Sequence, residues 1–264
     1  MEITLLQGII ITLVVMILVV DRHLEALFLF RPIIVCPIVG AILGDLNTGL
    51  VAGGMVELAF AGIAAIGGAS VPEALLTSVM TVVFAHITGN NVATSLALAY
   101  PFGVLLQFLW TVRNTAFVSF NGPAERYAKE GNIKGLFKLC FYGIVLTSIA
   151  TGILTFLSVY AAQEPLKALV EAMPDWLING FQVAGGLLPA VGFAMLLRVT
   201  LKARYVPYLL AGFLFATFIQ IDNVLPVAIM GVAFAMMEYF RSGEKEVAVA
   251  TASTSGKEGE KSGI

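Results

Sequence analysis

The chain has 264 residues, 59% of them hydrophobic and 12% charged, with a net charge of −2, and a mean hydropathy of +0.93. Soluble domains carry about 25% charged residues, so a water-soluble fold is excluded and the natural unit is the membrane span of about 20 apolar residues. The basic residues are scattered rather than gathered into a patch interleaved with aromatics, which excludes nucleic acid as a partner.

Residues 1–20 carry only Glu2 as a charge and lack the basic leader and small-residue cleavage site of a signal peptide, so they read as a retained first helix. From 32 to 72 the apolar chain is short-stepped, cut by Pro32, Pro37, Gly40, Gly44, Gly49, Gly53, Gly54, Gly62, Gly67 and Gly68. Such interruptions predict half-helices and re-entrant turns buried in protein. Residues 74–112 are uncharged but too long for one crossing, and the turn signal Gly89-Asn90-Asn91 followed by Pro101 divides them into two elements.

The polar connection 113–138 sets Arg113, Arg126, Lys129, Lys134 and Lys138 against Glu125 and Glu130, which places it in the cytoplasm. Residues 139–163 form a plain span, and the acidic connection 164–175 reads as external. Residues 176–197 cross back with an expected break at Gly185-Gly186 and Pro189, returning the chain to the cytoplasm at Arg198, Lys202 and Arg204. Residues 205–237 cross twice if they turn at Asp222-Asn223 and Pro226. The prediction is thus all-α: a polytopic membrane domain over 1–240 with about 7–9 transmembrane or half-membrane helices, and a Ser/Gly/Lys/Glu-rich, disordered cytoplasmic tail over 241–264. Val51-Ala52-Gly53-Gly54 returns as Val183-Ala184-Gly185-Gly186, a short echo that raises an internal repeat.

A carboxylate inside the bilayer costs at least about 2.5–3.5 kcal/mol, so it needs a partner, a watery cavity or a task. Glu57 follows Gly53-Gly54 in an apolar run, where it serves either as a ligand for a polar solute or as an ion-paired residue at a helix break. Asp45, in Gly44-Asp45-Leu46-Asn47-Thr48-Gly49, is equally a ligand or a helix N-cap. Asn179 and Gln182 precede Gly185-Gly186 and Pro189, and their amides suit sugar hydroxyls as well as helix capping. His86 reads as a packing residue and Asp222 as a turn former, while Cys36 and Cys140, the only cysteines, have no ligand spacing around them. No P-loop, nucleophile elbow or metal-binding motif is present, so catalytic, cofactor and metal roles are not expected, and an energy-converting step needs another chain.

Arg31-Pro32-Ile33-Ile34, Gly44-Asp45-Leu46-Asn47-Thr48-Gly49, Gly53-Gly54-Met55-Val56-Glu57 and the run from Asn179 to Gly186 together resemble the membrane IIC component of the mannose-type sugar phosphotransferase system, over about residues 1–240. Residues 25–36 and 202–215 are similar to the N-acetylgalactosamine and galactosamine type within it. The resemblance implies an elevator-like transport subunit of the bacterial inner membrane. It also implies a IID membrane partner, assembly as a trimer of IIC–IID pairs, and cytoplasmic IIA and IIB proteins that phosphorylate the incoming hexose or amino sugar. Glu57, Asp45, Thr48, Asn179 and Gln182 become the sugar-site candidates on that basis. The rival reading is an ion- or proton-coupled secondary sugar transporter with Glu57 and Asp45 carrying the ion.

Overall fold

A computed structural model of the protein describes residues 2–63, 72–218 and 225–258, with side chains as far as Arg241. The described residues form helices and connecting turns, falling into two compact units that divide after Val199.

In the first unit α1 (Leu5–Leu24) starts with a capping box, in which Thr4 and Gln7 satisfy each other's backbone donors. Two short hairpins follow. The first joins α2 (Pro32–Leu43) to α3 (Leu46–Phe60), and the second joins α4 (Ala74–Thr88) to α5 (Val92–Phe117). A 3-10 turn leads into the polar α6 (Asn121–Lys129). Next come α7 (Ile133–Phe156), which ends in a π-turn, the short α8 (Gln163–Glu171) and the long α9 (Asp175–Thr200). The second unit holds α10 (Val206–Phe218) and α11 (Leu225–Glu258).

Among the described residues four helical stretches are long and apolar enough to cross a bilayer: Leu5–Leu24, Val92–Lys129, Ile133–Ala161 and Asp175–Thr200. Pro32–Leu43, Leu46–Phe60, Ala74–Thr88 and Ala203–Phe218 are apolar but shorter. At 1.5 Å per residue a 15-residue helix reaches about 22 Å, short of the roughly 30 Å hydrocarbon core. The half-helices expected over 32–72 are therefore present as α2 and α3, α4 adds another, and the eight apolar helices among the described residues fall within the predicted range.

Some interruptions fall elsewhere than the glycine pattern predicts. Helix α3 runs unbroken through Gly53-Gly54, α9 through Gly185-Gly186 and Pro189, and α5 through Pro101. Gly53 and Gly185 serve packing instead. A Cβ at Gly53 would lie 3.3 Å from the backbone of Pro32 and Ile33, and one at Gly185 would overlap the Ala93 carbonyl oxygen, while Gly54 and Gly186 face open space. The breaks occur at Gly44-Asp45 and Gly89–Asn91, and after Phe60. Gly67, Gly68, Asp222 and Asn223 lie outside the described residues. Pro226 stands in the first turn of α11, where a missing N–H costs nothing. That helix continues past Ser242 to Glu258, where the composition predicts disorder; the Ala, Glu and Lys of this stretch are good helix formers.

Packing links the elements in pairs: α2 with α3, α4 with α5, and α1 with α7. The α2–α3 contact is backbone on backbone, since a Cβ at Gly49 would sit 2.7 Å from the Cys36 carbonyl oxygen and one at Gly40 would sit 2.7 Å from that of Asp45. Ser148 Oγ donates to the Met16 carbonyl at 2.9 Å, tying α7 to α1. The charged residues Arg22, Arg31 and Arg113 close one end of this unit, with Arg22 paired to Glu73 at the start of α4. The positive-inside rule makes that end cytoplasmic. At the other end the Ile3 N–H donates to Gln163 Oε1 at 2.8 Å and Gln163 Nε2 donates to the Ile3 carbonyl at 3.1 Å, so the N-terminus is fixed on the external side.

Candidate functional site

Each hairpin tip follows from local chemistry. Gly44 adopts φ +83° and Gly89 φ +70°, the left-handed conformation that glycine takes without steric cost, and each ends its ascending helix there. The descending helix then starts with a capping residue. Asp45 Oδ1 accepts from the Thr48 N–H at 3.0 Å and Oδ2 from Thr48 Oγ1 at 2.6 Å. Asn91 repeats the device, with Oδ1 accepting from the Thr94 N–H at 2.9 Å and from Thr94 Oγ1 at 3.0 Å. The Gln7 amide donates to the Ile42 carbonyl at 3.2 Å, so the α2–α3 tip lies beside the external end of α1, far from the arginines.

Both tips open into one cavity of about 560 Å³. Its polar lining is Asp45, Asn47, Thr48, His86, Asn90 and Asn91, and Val51, Met55 and Ala93 supply apolar wall. An ionised carboxylate has about four lone-pair positions, and Thr48 occupies two of those of Asp45, leaving capacity for a solute. Convergent amides, a hydroxyl and a carboxylate beside aliphatic wall form the kind of cleft that binds a polyhydroxylated ring.

Glu57 stands apart from this cavity, twelve positions further along α3 or about 18 Å. Its Oε1 accepts from the Arg31 guanidinium and its Oε2 from the Ile33 N–H at 3.3 Å. With Arg22, Arg31 and Glu73 it lines a separate cavity of about 130 Å³ at the cytoplasmic end. Asn179 and Gln182 are exposed on the first two turns of α9 and do not line the tip cavity. On the same helix Gly185, one turn after Gln182, packs on the backbone of Ala93, which lines the tip cavity. Of the five sequence candidates, Asp45 and Thr48 thus share one cavity, Glu57 lines another, and the two amides stand outside both.

Asn47, Asn90, Asn91 and His86 join the lining without having been candidates. The asparagines carried only a turn signal, and a lone histidine in an apolar run gives no sign of facing a second turn. Among the described residues no cluster of His, Cys, Asp and Glu is placed to hold a metal ion.

A family model described as the PTS system sorbose-specific IIC component matches residues 5–237. The chain belongs to this family. This IIC component is 47% identical over 247 residues to N-acetylgalactosamine permease IIC component 1 of Escherichia coli strain K12, covering 94% of this chain and 92% of that one. It also matches a solved structure described as a membrane protein, with a TM-score of 0.80 and 27% identity over 90% of this chain and 96% of the other. A solved complex of the mannose transporter ManYZ with microcin E492 matches with a TM-score of 0.57 and 27% identity, over 90% of this chain and 96% of that one. The IIC component is accordingly a sugar permease of the mannose type and a multi-pass protein of the inner membrane. It is a transport subunit, not an enzyme on its own, and works with other components of the phosphotransferase system.

Proposed function

We propose that this chain conducts an amino sugar, N-acetylgalactosamine or galactosamine, across the inner membrane and releases it to a IIB partner that phosphorylates it. The observation that carries the reading is the polar cavity between the two hairpin tips, supported by the 47% identity to a permease named for N-acetylgalactosamine. Asp45 accepts hydrogen bonds from sugar hydroxyls there, Thr48 and the tip asparagines add donors and acceptors, and Gln182 and Asn179 meet the sugar at the rim. Glu57 takes up hydroxyls at the cytoplasmic end of the same route, next to Arg31. A IID subunit completes the cavity, IIC–IID pairs gather as a trimer, and the hairpins travel as one body in an elevator-like step. Phosphate added by IIB makes return through an apolar path costly, which gives import its direction. Residues 1–240 form the transport domain and 241–264 a tail outside the bilayer.

The test is phosphorylation by membranes holding this chain with candidate IID, IIB and IIA partners, offered mannose, N-acetylgalactosamine, galactosamine and sorbose. Sugar phosphate that requires phosphoenolpyruvate, formed fastest from one of the two galactosamines, is the expected result. Preference for mannose or sorbose would overturn the substrate, and release of unmodified sugar driven by an ion gradient would overturn the coupling.

A further inference from the structure

Where α5 reaches the cytoplasmic end, Arg22 and Arg113 both lie against the Trp110 ring, 4.0 and 4.3 Å from its centroid. The two cations are compensated differently. Arg22 pairs with Glu73, whereas among the described residues Arg113 has no carboxylate within ion-pair distance. Arg113 bonds instead to the Asn114 amide oxygen, at 3.1 and 2.6 Å, and lies 3.3 Å from His23 Nε2. At the cytoplasmic end of α5 this guanidinium stands at headgroup level, where an anionic headgroup can meet it.

Arg113 and Phe117 belong to two cavities at once. One, of about 450 Å³, lies against the start of α7 and adds His23, Asn121 and Leu139 to its lining. The other, of about 300 Å³, is a groove between α5 and α7, floored by Leu106, Leu109, Leu146 and Ala150. Position along α7 orders them: the polar cavity sits near Leu139 and Cys140, and the apolar groove one to three turns deeper in the bilayer, near Leu146 to Thr151. The adjoining connection 113–138 carries five basic residues against two acidic ones, which raises the local concentration of anions at this surface.

We propose that this two-part cleft is a binding site for an anionic phospholipid, with the phosphate against Arg113 and His23 and one acyl chain in the α5–α7 groove. A soluble phosphate has no use for the groove, and a zwitterionic lipid brings no net charge to a guanidinium that has no ion-pair partner among the described residues. The site is distinct from the hairpin-tip cavity, since it shares no lining residue with it.

Native mass spectrometry of the purified transporter, titrated with dioleoyl phosphatidylglycerol or dioleoyl phosphatidylcholine, tests this. Wild type is expected to retain phosphatidylglycerol roughly five-fold more tightly, the preference that one basic side chain confers at an anionic headgroup. Arg113→Gln should bring the two lipids level, and Ala150→Phe, which fills the groove without touching charge, should weaken both. His23→Gln, with a smaller loss of preference, takes the place of Arg113→Gln if that variant does not fold. Equal retention of the two lipids by wild type, or an unchanged preference in the folded charge variant, would sink the proposal. So would full displacement of phosphatidylglycerol by millimolar inorganic phosphate, which would mark a plain anion site.

Discussion

Asp45 and Glu57 are both carboxylates on α3, and their neighbours give them different tests. Asp45 caps its helix through Thr48. Asparagine caps about as well as aspartate, so Asp45→Asn keeps the helix start, whereas Asp45→Ala costs about 1 kcal/mol of it. If Asp45 also accepts sugar hydroxyls, its charge matters beyond the cap. Asp45→Asn is then expected to leave the amount of folded protein unchanged and raise the KM for sugar phosphorylation roughly ten-fold, the loss of about 1.4 kcal/mol that one charge-assisted hydrogen bond represents. An unchanged KM would reduce Asp45 to a cap. The Arg31 side chain is 51% exposed but that of Glu57 only 17%, so Arg31→Gln, which strands a largely buried carboxylate, should lower Tm more than Glu57→Gln. If the carboxylate is a sugar ligand, Glu57→Gln should slow sugar phosphorylation despite its smaller effect on Tm.

The hairpin is the element on which the site depends, and its stability rests on absent side chains. Lipid gives two helices no hydrophobic reason to associate, so close contact between α2 and α3 comes from packing at Gly40 and Gly49. Gly49→Ala forces a methyl group to 2.7 Å from the Cys36 carbonyl and should cost about 1–3 kcal/mol, read as a lower Tm of the purified protein. Gly54→Ala, on the same helix but facing open space, should leave Tm unchanged or slightly raised. Both turns were legible because turn chemistry is local: glycine for the left-handed residue, then Asp or Asn and a threonine three positions on. The glycine pairs at 53–54 and 185–186 misled because a glycine that breaks a helix and one that admits a neighbour look the same in sequence. The capping device is used twice, Asp45 with Thr48 and Asn91 with Thr94. Nothing local could say that two turns 46 positions apart share a cavity, or that Glu57 meets Arg31 at the cytoplasmic end.

At the scale of the whole molecule, orientation follows from charge and one pair of hydrogen bonds. Asp21 and Glu25 balance Arg22 and Arg31 in the first connection, so sequence alone leaves the N-terminus undecided. The structure removes the ambiguity by placing Arg22 beside Arg113, at the same end as the strongly basic 113–138 connection, and by joining Ile3 to Gln163 at the other end. The tip cavity then lies toward the external side, about 20 Å from the cytoplasmic starts of α2 and α4, since each rises 12 to 15 residues before turning. On the proposed function, a sugar held there would enter from outside and leave past Glu57 and Arg31, where a cytoplasmic phosphocarrier can reach it. The expected topology is testable with single cysteines in a background lacking Cys36 and Cys140. In intact spheroplasts a membrane-impermeant maleimide should label Glu2→Cys at once, and Gly122→Cys on α6 only after permeabilisation. The reverse pattern would invert the chain, put the tip cavity nearer the cytoplasm, and make the Arg31–Glu57 end the entrance.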